Sequence, residues 1–185
     1  LVVGGIGSGK TFLSMQFILK GISEFNEPGV FMTFEEKAQE LMTNVSNLGY
    51  DLKKLVTDNK IYLEHLHIGQ YEIQESGKYN IDGLFIRIEQ AIKKTNAKRI
   101  VFDSLDSLFS NLDISLLRSE FKRLFFWLKD KNVTAMITAE SGFTYITRLG
   151  LEENVADCVI ELSNRIVNQV AIRRLRVMKY RGSTH

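Results

Sequence analysis

The 185-residue chain has one cysteine, Cys158, one proline, Pro28, and one tryptophan, Trp127. A lone cysteine rules out an internal disulfide, the pattern expected of a cytoplasmic, reducing location. No run approaches the about 20 consecutive apolar residues that a membrane-spanning helix needs. Neither charge sign dominates: 24 Lys and Arg face 22 Asp and Glu, a net of +2. A balance so close to neutral disfavours a general polyanion binder, because affinity for a nucleic-acid backbone comes from clustered cations. Repeats and low-complexity tracts are also missing. What remains is a chain that is 44% hydrophobic and long enough for a single full core, residues 1–185 being read as one domain. It opens on an apolar strand-like triplet, Leu1-Val2-Val3, and stops just after another strand pattern. A piece of a longer protein is therefore expected.

Short apolar runs alternate with helix-period stretches, the signature of a mostly parallel sheet flanked by helices, an α/β fold. Strands are expected at Leu1–Val3, Val30–Phe34, Ile61–Leu66, Arg99–Asp103 and Val133–Thr138. Helices are expected over Lys10–Glu24, Ala38–Leu48, Ile81–Thr95 and Leu116–Lys131. The consecutive apolar residues Ile100, Val101 and Phe102 suit a strand covered on both faces. Cys158–Leu162 and Val170–Tyr180, joined by a polar turn around Asn164–Asn168, read as an antiparallel hairpin closing one sheet edge. The polar stretch Gly69–Asn80 reads as a loop.

Gly4-Gly5-Ile6-Gly7-Ser8-Gly9-Lys10-Thr11 fits the pattern G-x-x-x-x-G-K-[ST], placed between a strand and an amphipathic helix. Glycines allow the backbone to curl so that bare N–H groups surround a β-phosphate. Lys10 adds charge near the β- and γ-phosphates, the Thr11 hydroxyl can ligate Mg²⁺, and the helix dipole points its positive end at the anion. Gly5, Gly7, Ser8, Gly9, Lys10, Thr11 and Phe12 are the candidate cradle for ATP.

Magnesium in such sites takes an acidic partner at a neighbouring strand end. Asp103 closes Arg99–Asp103; an Asp there can simply cap a turn, but beside a phosphate loop it is the candidate magnesium residue with Thr11. Glu35 and Glu36 follow the second strand. They either offset the dipole of the next helix or prepare water for attack on the γ-phosphate, one acting and the other supporting. The crevice at the strand ends of a parallel sheet favours the catalytic role.

The densest positive segment is Arg173–Arg181. It is either a solvated edge strand or, with Lys179 and Arg181 on one side, a set of fingers for a neighbour's phosphates. His65 and His67 suit a surface strand better than a metal pair, since no third ligand is spaced to join them. Phe121, Leu124, Phe125 and Leu128 recur at core spacing, with Phe126 and Trp127 beside them as candidates for a subunit interface. Ser141–Thr147 reads as an ordinary connection or a loop lining a ring, the former being favoured.

Over its whole length the sequence resembles the KaiC family of clock ATPases and kinases within the RecA-like group. The likeness lies in the phosphate loop, in Phe25–Glu36 with its glutamate pair, in Asn47–Leu52, in Val101–Ser104 and in Lys179–His185. It implies a hexameric ring with ATP at the subunit interfaces. Lys179, Tyr180, Arg181, Ser183 and His185 would then reach the adjacent subunit's nucleotide, and Arg181 would join Lys10, Glu35 and Glu36 in catalysis. Tyr180 stands where Leu is usual and Asn47, in the nucleotide-facing segment, where Ser is usual. The resemblance also implies clock or signalling partners and, in a second tandem domain, a serine/threonine autokinase with adjacent Ser and Thr acceptors. Glu153 and Asn154 occupy the matching positions here, so this domain resembles the first, ATP-hydrolysing half. A RecA-like DNA-dependent ATPase is the competing reading. The segment Ser104–Ser115 has acidic residues and no Lys or Arg, which disfavours it. A scaffold that binds ATP without hydrolysing it is disfavoured by the glutamate pair.

Overall fold

A computed structural model describes residues 1–46, 49–66, 82–108, 114–144, 146–148, 150 and 152–182. The strand β1 (Val2–Gly4) leads through the phosphate loop into α1 (Lys10–Phe25), followed by β2 (Gly29–Thr33), α2 (Ala38–Ser46), α3 (Leu52–Thr57) and β3 (Ile61–His65). Then come α4 (Asp82–Thr95), β4 (Arg99–Asp103), α5 (Leu105–Leu108), α6 (Ile114–Asp130) and β5 (Thr134–Glu140). The chain closes with α7 (Glu152–Val155), β6 (Cys158–Val167) and β7 (Val170–Tyr180). The seven strands form one sheet in the order β3-β2-β4-β5-β1-β6-β7, parallel except for the antiparallel β6–β7 pair. This is the expected RecA-like architecture with its terminal hairpin.

Two apolar layers sandwich the sheet, and strand alternation assigns residues to them. Val30, Met32, Ile100 and Phe102 face α4 and α6, meeting Ile88, Phe121, Leu124 and Leu128. Phe31 and Val101 face the opposite way onto Met15, Ile18 and Leu19 of α1. Phe121, Leu124 and Leu128 are therefore core, as their spacing indicates, and Phe125 packs on it half-buried. The Trp127 ring is half-buried and packs on Phe85 at 5.1 Å between centroids, while Phe126 is exposed. Helix α1 ends where Asn26 turns left-handed, φ 52°, and donates to the Gly21 carbonyl; Pro28 follows two residues on.

Three short helices, α3, α5 and α7, went unforeseen, because four to six residues give no readable period. The hairpin turn also moves: β6 runs on to Val167, and Asn168 and Gln169, at φ 50° and 63°, make the two-residue turn. Left-handed backbone at both positions matches the twist of the flanking strands. The expected loop Gly69–Asn80 lies outside the described residues. Among the described residues no helix is long and apolar enough to cross a membrane.

Candidate functional site

The site forms where β1, β2, β4 and β5 end on the same side of the sheet. Gly7 and Gly9 adopt φ of 69° and 98°, a region that side-chain-bearing residues rarely enter. Gly9 is the N-cap of α1 and places no side chain over the helix mouth, so the first amides of α1 stay open to an anion. Gly4 is required for a different reason: a Cβ there would lie 2.6 Å from the Leu162 carbonyl and against the Ser8 hydroxyl. Lys10 curls over the loop, its ammonium donating to the carbonyls of Gly4 (2.7 Å) and Gly5 (3.2 Å). Ser8 is buried, and its Oγ has no hydrogen-bond partner in the protein, an orphaned polar atom inside the loop. Phe12 is exposed beside it.

Asp103 is almost fully buried at the end of β4. The hydroxyl of Thr138 on β5 donates to its Oδ1 at 2.6 Å and accepts from the Ser104 amide at 2.7 Å. Burial pushes the Asp103 carboxyl above the usual range, while hydrogen bonds from Thr138 and Thr11 pull it back. Thr11, at the start of α1, and Asp103, at the end of β4, are far apart in sequence and lie at the same end of the sheet. A hydroxyl and one or two carboxylates, with the remaining positions filled by water and phosphate oxygens, is the donor set that Mg²⁺ takes in phosphate sites. An orphaned hydroxyl in a glycine cradle, with the Thr11 hydroxyl and the Asp103 carboxylate at its rim, fits a magnesium-bound polyphosphate. Among the described residues no three His, Cys, Asp or Glu groups gather into a metal cage. Ser104, just after Asp103, has φ 63°, a left-handed backbone held by the Thr138 contact.

The glutamates diverge. The Glu36 carboxylate accepts from Nδ2 of Asn44 at 2.6 Å, and the Glu35 carboxylate accepts from the Ser107 hydroxyl on α5 at 2.5 Å. Asp106 was also unforeseen: it is buried, and its Oδ2 accepts from the Glu140 amide at 3.3 Å. Burial raises its carboxyl above the usual range, with the nearby Glu140 and Glu35 charges adding to the rise. Thr138 near the end of β5, Asp106 and Ser107 on α5 just after β4, and Asn44 late in α2 carry no signal in the sequence beyond those places.

Lys179 and Arg181 stand elsewhere. Lys179 pairs with Val159, whereas Gly4 pairs with Leu162, so Lys179 lies about 10 Å further along the sheet, toward its opposite end. There Lys179 donates to the Glu153 carbonyl (2.8 Å), and Arg181 donates to Asp157 Oδ1 (3.1 Å) and the Asn154 carbonyl (3.2 Å). Burial and the Arg181 charge lower the Lys179 ammonium. Tyr180 is half-exposed on the same edge strand. Asn47, Ser183 and His185, like His67, lie outside the described residues.

The KaiC ATPase family model matches residues 1–185. The circadian clock protein KaiC2 of Synechocystis sp. is 48% identical over the whole chain, which covers 33% of that relative. The circadian clock oscillator proteins KaiC of Synechococcus elongatus and Prochlorococcus marinus are 39% and 38% identical over the whole chain, which covers 36% and 37% of them. The chain thus spans about a third of the length of the curated relatives it matches. With a RecA-like sheet, a phosphate loop at the mouth of α1 and a family match from end to end, this chain belongs to the KaiC ATPase family.

Proposed function

We propose that the chain binds ATP with Mg²⁺ and slowly hydrolyses its β–γ bond, within a ring of six copies that hold nucleotide between neighbours. The observation that carries this reading is the separation of Lys179 and Arg181 from the phosphate loop of their own chain. Placed toward the other end of the sheet from their own phosphate loop, these two cations would serve the phosphates of another copy.

In this reading the amides of Gly5, Gly7, Ser8 and Gly9 wrap the β-phosphate and Lys10 leaves the Gly4 and Gly5 carbonyls for the β- and γ-oxygens. Thr11 and Asp103 hold Mg²⁺, which neutralises phosphate charge as the bond breaks. Glu35 and Glu36 prepare the attacking water, and Phe12 flanks the nucleotide. Lys179, Tyr180, Arg181, Ser183 and His185 of one copy serve the nucleotide of the next, and Asn47 is a further candidate nucleotide contact. Glu153 and Asn154 offer no hydroxyl to phosphorylate, so the activity assigned here is hydrolysis; an autokinase activity would belong to another part of a longer protein. Residues 1–185 act as one domain, in the cytoplasm, with clock or signalling proteins as partners; the relatives are named as circadian clock proteins.

Size-exclusion chromatography with and without Mg²⁺ and ATP tests this reading. A hexamer with nucleotide that dissociates on its removal is expected. A monomer in both conditions would contradict every contact placed in trans.

A further inference from the structure

Two adjacent glutamates at one strand end invite the question of which one does the chemistry, and their partners separate them. Glu36 is held from two directions: its amide donates to the Thr33 hydroxyl at 3.2 Å, and its carboxylate accepts from Asn44 on α2 at 2.6 Å. The Asn44 contact draws its carboxylate toward α2. Glu35 turns the other way, across the strand ends, to the hydroxyl of Ser107 at 2.5 Å. Ser107 lies on α5, which begins two residues after Asp103, so this contact brings the Glu35 carboxylate beside the candidate magnesium residue.

Helix α5 is a fixed mount. Leu105 is fully buried in the core, and the Ser107 amide donates to the Ser104 carbonyl at 3.0 Å. Asp106 reaches across to the Glu140 amide on β5 at 3.3 Å. Ser104, where α5 leaves β4, is tied through its own amide to Thr138. The hydroxyl that meets Glu35 is therefore anchored to β4 and β5 together. A solvent-exposed glutamate without such a partner samples many rotamers, and most of them point its carboxylate away from a γ-phosphate.

Taking Glu35, the glutamate turned toward α5, as the carboxylate that accepts the proton of the attacking water, we propose that Ser107 is its positioning residue. Ser107 binds one carboxylate oxygen and leaves the other to face the γ-phosphate. Glu36, bound to Asn44, supports the loop and takes no proton. This inference rests on the ATPase reading above. In the step, the water oxygen bonds to the γ-phosphorus and the bond from that phosphorus to the bridging oxygen breaks. The electron pair stays on the β-phosphate of ADP, and the water proton passes to Glu35 and then to solvent. ATP and water are the only reactants.

The test is steady-state ATP hydrolysis by the assembled protein, wild type against six variants. Glu35→Gln is expected to lower kcat by about a hundredfold or more and Glu36→Gln by less than about tenfold. Ser107→Ala is expected to lower kcat about five- to tenfold with KM unchanged, the worth of one positioning hydrogen bond. Ser107→Thr, which keeps the hydroxyl, should restore the rate to within about twofold. The Glu35→Gln/Ser107→Ala variant should be no slower than Glu35→Gln alone, since residues that act as a unit are not additive. Three results would overturn the proposal: full activity in Ser107→Ala, a larger loss in Glu36→Gln than in Glu35→Gln, or the same Ser107→Ala loss on both backgrounds. Wild-type turnover in a Glu35→Gln/Glu36→Gln double variant would instead bring down the ATPase assignment itself. A dead double variant with full activity in Ser107→Ala would overturn the proposal and leave the ATPase reading standing.

Discussion

Thr138 on β5 holds Asp103 on β4 through a 2.6 Å hydrogen bond between two buried side chains, and the same hydroxyl fixes the backbone of Ser104. One residue thus supports both the candidate magnesium carboxylate and the left-handed turn that launches α5.

Replacing Thr138 with Val keeps the shape and removes the hydroxyl. The Asp103 carboxylate and the Ser104 amide each lose a partner in a dry setting, at a cost of about 1–3 kcal/mol. Urea unfolding without nucleotide should show that loss. The Mg²⁺ concentration needed for half-maximal ATP binding should rise as well, because Asp103 is no longer held.

Asp106 gives a pH-dependent prediction. Its folded carboxyl is raised above the unfolded value, chiefly by burial. The protonated form is therefore favoured by folding, and stability falls as pH rises from the unfolded value through the folded one. Asp106→Asn abolishes the buried charge and keeps an oxygen for the Glu140 amide. The variant should melt a few degrees higher than wild type near pH 8, on the order of 2–4 °C per kcal/mol. That advantage should shrink toward pH 4. An equal Tm difference at both pH values would show that the charge is not the cause.

Contacts in trans can be tested by mixing two inactive proteins. Lys10→Ala lacks a phosphate ligand and Arg181→Ala lacks the distant cation. If Arg181 serves the neighbouring site, mixed rings contain interfaces with Lys10 from one copy and Arg181 from the other. Random mixing at equal amounts should restore about a quarter of wild-type turnover. No recovery in rings shown to be mixed would mean that both residues serve one copy.

Gly4→Ala tests the close approach of β1 to β6. The added methyl would meet the Leu162 carbonyl, a backbone atom that cannot swing aside. A destabilisation of about 1–3 kcal/mol is expected in chemical denaturation, with weakened ATP binding because the phosphate loop starts at that residue.

The sheet was legible in the sequence because its strands are buried on both faces. Val30–Met32 and Ile100–Phe102 are apolar at every position, with Gly29 opening β2 and Asp103 closing β4. The phosphate loop was legible because its backbone angles demand glycine at Gly7 and Gly9. Asp103 and the glutamate pair were legible from their strand-end positions. Ser107, Asp106, Thr138 and Asn44 were not, since a hydroxyl or amide gains meaning only when another strand end is brought opposite it. The hairpin turn was misplaced for a related reason: Asn164 and Asn168 are equally turn-like locally, and the pairing of Val167 with Val170 decides between them. The distance of Lys179 and Arg181 from the phosphate loop needed the sheet order, which no local pattern encodes.

The most direct measurement is an equilibrium titration of ATP with Mg²⁺ into wild type and Lys10→Ala. The account predicts that the variant, still folded by circular dichroism, binds at least about tenfold more weakly, because a charged donor to the phosphates is gone. Equal affinity in the two proteins would contradict it.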